Sequence, residues 1–245
     1  MNFYAIDFGH TNYKIAFIKN GDIVSIYKSG YHEKSIFDEL NELIKQSKCE
    51  KILCCSVINE NIINSIIGEL PSNIKNILKF FKTKDCQKYI SIAYSKNINR
   101  LGVDRALNLV GASQKTKNDL IVIDAGTATT IDYLDSNQNH VGGIILPGKK
   151  IIDNIFFEIL DFDFLEEEVK ENIFSTNTRS CVENGSSMTA YSTINNVLDK
   201  MISQKESTPD IYVTGGNAEH VLDNCNHPII HVESLLFEGL IVLEG

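Results

Sequence analysis

The sequence predicts an α/β fold made of two similar halves, each with a mixed sheet and flanking helices. The first observation is the segment Leu120–Asp132, in which four apolar residues run into Asp124, Gly126 and several threonines. The second is Tyr4–Thr11, which also ends an apolar run with Ile-Asp-x-Gly. Because the pattern recurs about half a chain length later, we expect an internal duplication whose two turns face each other across a cleft.

Elements of the first half alternate between strands and helices, as is typical of α/β proteins. Apolar runs and the hairpin signal Asn20-Gly21-Asp22 predict four strands: Phe3–Asp7, Lys14–Lys19, Ile23–Tyr27 and Lys51–Val57. Apolar residues at helical spacing predict four helices, with Pro71 between the second and the third: Lys34–Gln46, Ile62–Leu70, Ile74–Phe81 and Arg105–Gln114.

The second half repeats this plan after the polar run Ser113–Asp119, which is the predicted domain junction. We therefore expect domains over residues 1–115 and 116–245. Strands are predicted at Leu120–Ile123, Thr130–Leu134, Val141–Ile145, Asp210–Val213 and Ile229–Val232. Helices are predicted at Lys149–Ile159, Ser186–Ser203, Ala218–Leu222 and Ser234–Val242, with a loop or helix start at Asp161–Glu168.

Composition narrows the class of partner and the compartment. The net charge of −9 and the pI of about 5.2 weigh against nucleic acid or an anionic membrane as the main partner. Neither an export signal nor an apolar run of about 20 residues is found, so we expect no membrane span. The six cysteines show no metal-ligand spacing, and Cys54 and Cys55, inside an apolar run, are predicted to be buried free thiols, which fits a reducing cytoplasm.

The turn after the first strand has the chemistry of a phosphate-binding loop. Glycine frees backbone amides, and a hydroxyl and a lysine lie within reach of a bound polyphosphate. Asp-x-Gly is also common in ordinary turns, which is the more frequent explanation of a single copy, but two copies at corresponding positions favour a nucleotide site. The candidate residues are Asp7, Gly9, His10, Thr11, Asn12 and Lys14.

The corresponding turn of the second half carries Asp124 and Thr127. Aspartates that face a polyphosphate repel it unless cations lie between them, so the pair of turns implies Mg²⁺ or another metal ion. A later Thr-Gly-Gly, centred on Gly215, has no Cβ to keep a flat base away from the backbone. An ordinary strand-to-helix turn explains that tripeptide equally well.

The segment Gly102-Val103-Asp104-Arg105 joins a loop to a helix. The Asp104 carboxylate is suited to accept a hydroxyl proton, and the Arg105 guanidinium is suited to hold an oxyanion, as phosphoryl transfer requires. Alternatively Asp104 caps the helix and Arg105 makes a surface pair. Spacing leaves both interpretations open. P-loop, nucleophile-elbow and zincin motifs do not occur in the sequence.

Together these residues resemble the type III pantothenate kinases, a branch of the actin-like, sugar-kinase and Hsp70-like superfamily. The resemblance extends from Asp7 to Leu240 and implies a two-domain actin-like fold related to ribonuclease H. Its motifs are D-x-G-x-T-x-x-K from Asp7, G-x-D-R from Gly102, D-x-G-T-A-x-T from Asp124, G-G-x-I-x-P-G over Gly142–Gly148, T-x-x-x-[IV]-x-x-G from Thr178 and T-G-G from Thr214.

The resemblance implies ATP-dependent phosphorylation of pantothenate to 4'-phosphopantothenate, the first step of coenzyme A biosynthesis. It makes Asp104 the general base and Asp124 the ligand of a monovalent cation, K⁺ or NH₄⁺. ATP with Mg²⁺ would contact the Asp7–Lys14 loop, Thr127 and Gly215. The family relation also implies a cytoplasmic homodimer whose substrate site is completed near the dimer interface.

Pantothenate would contact the G-x-D-R segment, with Arg105 binding its carboxylate, and Thr178. The family's substrate-side tyrosine is assigned to Tyr94, which lies slightly out of the usual register. His10 stands where the family usually has asparagine, so the phosphate contact there is expected to differ and to become pH-sensitive.

Two other functions remain open. The first is phosphorylation of another small hydroxyl compound by the same superfamily chemistry, which a panel of acceptors would distinguish. The second is a non-catalytic ATP-binding transcription accessory protein, because members of the resembled family have also been described in that role. Both phosphate hairpins together with Asp104 and Arg105 weigh against an inactive site, and the acidic charge weighs against direct contact with DNA.

Overall fold

The computed structural model describes residues 2–31, 40, 49–94, 96–160, 173–205 and 207–245. They form two compact units. The first contains Met1–Lys117, Asn137–His140 and Ser234–Gly245, and the second contains Asn118–Ser136 and Val141–Glu233. The last segment of the chain and four residues of a later hairpin therefore belong to the first unit. The division at residues 115 and 116 stays a prediction about the two halves of the sequence.

The first unit is built on a five-stranded sheet in the order β3-β2-β1-β4-β5. Its strands are β1 (Asn2–Phe8), β2 (Asn12–Lys19), β3 (Asp22–Gly30), β4 (Ile52–Ser56) and β5 (Leu78–Phe80). The hairpin strands β1, β2 and β3 pair antiparallel, whereas β4 and β5 continue the sheet in parallel. Central β1 is buried on both faces after its first residue, so Asp7 lies near the carboxyl end of a covered strand.

The second unit repeats this topology with a five-stranded sheet in the order β10-β9-β6-β7-β8. Its strands are β6 (Leu120–Ala125), β7 (Ala128–Leu134), β8 (His140–Pro147), β9 (Asp210–Thr214) and β10 (Ile230–His231). Strand β6 takes the central place of β1, with antiparallel β7 on one side and parallel β9 on the other. Two mixed sheets with the same strand order confirm the predicted duplication.

Seven α-helices are described, together with 3₁₀ segments at Thr83–Lys88 and Ile98–Arg100. They are α1 (Glu60–Glu69), α2 (Ser72–Lys75), α3 (Val103–Ser113), α4 (Lys149–Leu160), α5 (Thr178–Ser203), α6 (Ala218–Asn224) and α7 (Leu235–Glu244). Helix α3 is buried along nearly its whole length because it packs against α7 within the first unit.

Each sheet has its own apolar core. In the first unit Ile6, Phe8 and Cys54 pack with the helix residue Ile63. In the second unit Ile123 and Val213 pack with Leu198 of α5. Each sheet is thus stabilised by the burial of its own helices rather than by strand pairing alone.

Two predicted elements differ from the structure. The helix predicted over Ile74–Phe81 is wrong, because α2 ends at Lys75 and Leu78–Phe80 pairs in parallel with β4. Helix α5 begins at Thr178 rather than Ser186, since the Asn177 side chain accepts a hydrogen bond from the Ser180 N–H and caps an earlier turn.

Two further predictions lie outside the described residues. The helix predicted over Lys34–Gln46 is described only at Leu40, which is helical and buried. The loop or helix start predicted at Asp161–Glu168 falls wholly on residues that the structure does not describe.

Candidate active site

The first predicted phosphate turn joins β1 to β2. Asp7 pairs in register with Lys14 across the hairpin and with Cys55 on the parallel neighbour β4. Its carboxylate is 7% exposed, and Oδ1 accepts a hydrogen bond from the Cys55 thiol at 3.6 Å. Burial, Asp7 and Asp104 all raise the pKa of Cys55 well above its ordinary value, so the thiol stays protonated and can keep donating to Asp7.

The tip of this turn is exposed, and a hydrogen bond from Tyr31 fixes its backbone at Gly9. His10 and Thr11 lie at the surface, with Asn12 beginning β2. The Tyr31 hydroxyl donates to the Gly9 carbonyl at 2.9 Å, and burial followed by the nearby Asp7 charge raises the Tyr31 pKa, which keeps the hydroxyl a donor. A Cβ at Gly9 would lie 2.9 Å from the Asn12 carbonyl oxygen, so the tight turn requires glycine.

The G-x-D-R segment forms the N-terminus of α3. Gly102 is the N-cap residue and makes no side-chain cap. The Arg105 backbone N–H donates to Asp104 Oδ1 at 2.8 Å, so the carboxylate folds back over the helix start. A Cβ at Gly102 would lie 2.3 Å from that same oxygen, which explains why glycine precedes Val103 here.

Tyr94 lies beside Arg105. Arg105 Nη1 donates to the Tyr94 hydroxyl at 3.4 Å, and the Arg105 side chain is only 5% exposed. A buried guanidinium is weakly hydrated and offers a planar set of donors to a carboxylate. The structure therefore groups Tyr94, Asp104 and Arg105 at one end of α3.

The second predicted phosphate turn joins β6 to β7. Asp124 lies in register with Thr130 on one side and with Thr214 on the other. The Thr-Gly-Gly turn lies against the Asp124 side chain. Gly215 has a φ of +96°. A Cβ at Gly215 would lie 2.6 Å from Asp124 Oδ1. Only glycine suits both that backbone angle and that space.

Two residues outside the predicted set of ligand-binding residues, Asn217 and Gly148, shape this turn. The Asn217 backbone N–H donates to the Ala125 carbonyl at 2.9 Å, and its side-chain Nδ2 donates to the Gly126 carbonyl at 3.2 Å. A Cβ at Gly148 would lie 2.3 Å from the Thr127 carbonyl oxygen. The sequence signals were an asparagine just after Thr-Gly-Gly and a glycine just after Pro147, both explained equally well by ordinary turns.

Thr178 is the first residue of α5 and is exposed. It belongs to the second unit, as do Asp124, Thr127 and Gly215, whereas the other predicted site residues belong to the first. Among the described residues, no group of three or more His, Cys, Asp or Glu side chains is arranged to hold a metal ion. No described helix is both long and apolar enough to cross a membrane.

Comparison with known proteins gives a family-level match over most of the chain. A family model described as type III pantothenate kinase matches residues 3–200. The type III pantothenate kinase of Finegoldia magna is 24% identical over 254 residues, which cover 97% of this chain and 95% of the relative.

Solved structures with the same fold include two bacterial proteins. One, from Campylobacter jejuni, is provisionally described as a Baf family transcriptional activator. It is 21% identical and superposes with a TM-score of 0.60, and the match covers 98% of this chain and 96% of that chain. The other, from Sinorhizobium meliloti, is provisionally described as a 2-dehydro-3-deoxygalactonokinase; its TM-score is 0.60 at 12% identity, covering 98% and 97%. These likenesses concern the fold, and with the duplicated sheets they confirm the predicted actin-like architecture.

Proposed function

Because the chain belongs to the type III pantothenate kinase family, we propose that it transfers the γ-phosphoryl group of ATP to the primary hydroxyl of pantothenate, giving 4'-phosphopantothenate. The observation that carries this proposal is the cluster at the start of α3. There the buried Arg105 donates to the Tyr94 hydroxyl through its guanidinium and to the Asp104 carboxylate through its backbone N–H. A carboxylate-bearing alcohol needs this combination of a guanidinium and a proton acceptor.

Arg105 is proposed to bind the pantothenate carboxylate. The buried guanidinium offers a planar set of charge-assisted hydrogen-bond donors to a carboxylate. The Tyr94 hydroxyl fixes the guanidinium from one side, and the backbone of Gly102 and Val103 would lie along the substrate. The Thr178 hydroxyl is proposed as a further substrate contact.

Asp104 is proposed to receive the proton of the attacking hydroxyl. As the new oxygen–phosphorus bond forms, the bond between the γ-phosphorus and the ADP oxygen breaks, and the proton passes to the Asp104 carboxylate. The hydrogen bond from the Arg105 N–H already orients that carboxylate. Positioning and charge neutralisation supply most of the acceleration in phosphoryl transfer, and the base adds a smaller part.

The two phosphate turns are proposed to hold ATP. The residues proposed to contact ATP are Asp7, Gly9, His10, Thr11, Asn12, Lys14, Thr127 and Gly215. Mg²⁺ usually binds through one or two carboxylates plus substrate phosphates, so ATP is proposed to bind as its Mg²⁺ complex. When bound, Mg²⁺ neutralises charge on the phosphates.

Replacing Asp104 with asparagine tests the base assignment. We expect Asp104→Asn to lower kcat about 10²- to 10⁴-fold, because the amide cannot take the proton, while ATP affinity changes little. A coupled assay with ATP and pantothenate measures kcat, and calorimetry measures ATP binding. The exposed Asp22→Asn variant serves as the control. An Asp104→Asn enzyme with wild-type kcat would reject the assignment.

Asp124 is proposed to hold the monovalent cation, K⁺ or NH₄⁺, through its carboxylate oxygens. If so, replacing K⁺ with Na⁺ in the assay lowers turnover, because the smaller ion does not satisfy the same oxygen positions. The Asp124→Asn variant should then lose both activity and the difference between the two ions. Equal rates of the wild-type enzyme in both salts would contradict this site.

The alternative substrate class is tested with the same assay. A panel of small hydroxyl compounds with ATP should show turnover with pantothenate alone. Phosphorylation of another acceptor at a higher kcat/KM would instead assign the chain to a related kinase activity. The proposed setting of the enzyme is a cytoplasmic homodimer.

A further inference from the structure

Four residues of the β7–β8 hairpin, Asn137–His140, belong to the first unit. They pair there with the segment that carries Tyr94. Ser91 N–H donates to the Gln138 carbonyl at 2.8 Å, and His140 N–H donates to the Ser91 carbonyl at 2.7 Å, with a parallel bridge between Ser91 and Asn139. Gln138 adopts a φ of +64°, a conformation unusual for a residue with a side chain, so tertiary contacts hold this turn in place.

These backbone hydrogen bonds place the His140 ring beside the Tyr94 ring. The two rings stack with centroids 6.0 Å apart and planes inclined by 11°. His140 is 2% exposed, so its surroundings fix the imidazole ring. The Tyr94 ring therefore stacks on a flat surface whose position is fixed. The opposite end of Tyr94 accepts the hydrogen bond from Arg105 Nη1.

We propose that His140 is a positioning residue for substrate binding, which acts by holding the Tyr94 ring so that its hydroxyl fixes Arg105. This inference rests on the proposed function and deepens it, since it adds a residue to carboxylate recognition that no sequence motif contains. Loss of the His140 ring frees Tyr94 to rotate. The Arg105 guanidinium then loses a hydrogen-bond partner of fixed position. Pantothenate therefore binds more weakly, while the rate of phosphoryl transfer stays the same.

The test compares three substitutions at one position. His140→Leu fills similar space without a flat ring and should raise KM for pantothenate about three- to tenfold, the loss expected for one aromatic pair. His140→Phe keeps a flat ring and should stay within about twofold of the wild type. In both variants kcat and KM for ATP should stay near the wild-type values. A leucine variant with unchanged KM, or a phenylalanine variant as impaired as the leucine one, would overturn the proposal.

A double-mutant cycle tests whether His140 acts through Tyr94. In a Tyr94→Ala background, adding His140→Leu should raise KM no further, whereas an equal further increase would overturn the positioning role. The control is His220→Ala, which removes the exposed partner of a second Tyr–His ring pair, with Tyr191, and should leave KM unchanged. A folded wild-type chain that does not phosphorylate pantothenate would overturn the proposed function. An active wild type with an unaffected leucine variant would overturn only the role of His140.

Discussion

The Asp119 carboxylate links three segments of the second unit by hydrogen bonds. It accepts hydrogen bonds from the Tyr133 hydroxyl at 2.6 Å, from the Ser136 N–H at 2.8 Å and from the Ser207 hydroxyl. Partial burial works to raise the Asp119 pKa, but the bonds from Ser207, Tyr133 and Ser136 outweigh it and hold the pKa at about 2. The charged form is therefore the one that the fold stabilises.

This low pKa predicts an acid-dependent contribution to stability. The unfolded chain protonates Asp119 near pH 4 and the folded chain only near pH 2, so the contribution is complete above about pH 4 and disappears as the pH falls to about 2. Asp119→Asn should lower the free energy of unfolding at pH 7 by about 1 kcal/mol or less, since the site is partly exposed.

Urea unfolding of wild type and variant at pH 7, 4 and 2.5 measures the effect. The difference between them should shrink at the lowest pH. Asp223→Asn, an exposed aspartate of the same unit, is the control and should show no such trend. A difference that stays constant down to pH 2.5 would contradict the assigned interaction.

At the scale of elements, the position of the site depends on how closely α3 packs against α7. A Cβ at Gly111 would lie 2.2 Å from the Leu235 carbonyl oxygen, and one at Gly239 would lie 2.2 Å from the Leu107 carbonyl oxygen. Both obstacles are backbone atoms of the opposite helix. The two helices therefore touch backbone to backbone, and Asp104 and Arg105 are held on a helix that cannot shift without moving its neighbour.

Gly239→Ala should separate these helices. We expect it to lower the free energy of unfolding by about 1–3 kcal/mol, the usual cost of forcing extra volume into a packed contact. The added helix propensity of alanine offsets part of this cost. Thermal and urea unfolding monitored by circular dichroism measure the change.

Gly68→Ala is the matched control for that substitution. Gly68 also lies in a helix of the first unit, but nothing comes within 4 Å of the position of its added Cβ. Alanine there should stabilise the protein by about 0.5–1 kcal/mol. If both variants behaved alike, the close helix contact would not be the cause.

The sequence predicted most strands because their apolar runs are long and continuous. It failed at Leu78–Phe80, since a three-residue strand is too short to show a period and its pairing with β4 is set by tertiary contact. It also missed the first two turns of α5. Only Cys181 and Val182 are apolar between Thr178 and Gly185, so those turns show no amphipathic pattern.

Candidate site residues can be found from the sequence only where their chemistry is local, and their roles stay predictions. Residue type and spacing singled out Asp104 and Arg105, and the structure groups them with Tyr94. The contacts made by Cys55, Asn217 and His140 join residues far apart in the chain, so no spacing rule reveals them. Supporting residues of this kind are specified by the fold rather than by a motif.

At the scale of the whole molecule, the described part of the second unit carries several exposed apolar side chains. Ile155, Phe156 and Ile159 are exposed along α4, and Met188 of α5 is exposed as well. Exposed apolar side chains grouped on one element are typical of interaction surfaces. The proposed homodimer gives this surface an occupant, namely a second copy of the chain.

Ile159→Lys tests that assembly. Ile159 is 71% exposed, so lysine costs the isolated chain little, but in a dimer its charge would be buried without a partner. We expect the wild type to sediment as a dimer and the variant as a monomer with unchanged circular dichroism. Ile62→Lys, at 55% exposure on α1 of the first unit, controls for the added charge and should remain dimeric. Dissociation by both variants, or by neither, would remove α4 from the dimer interface.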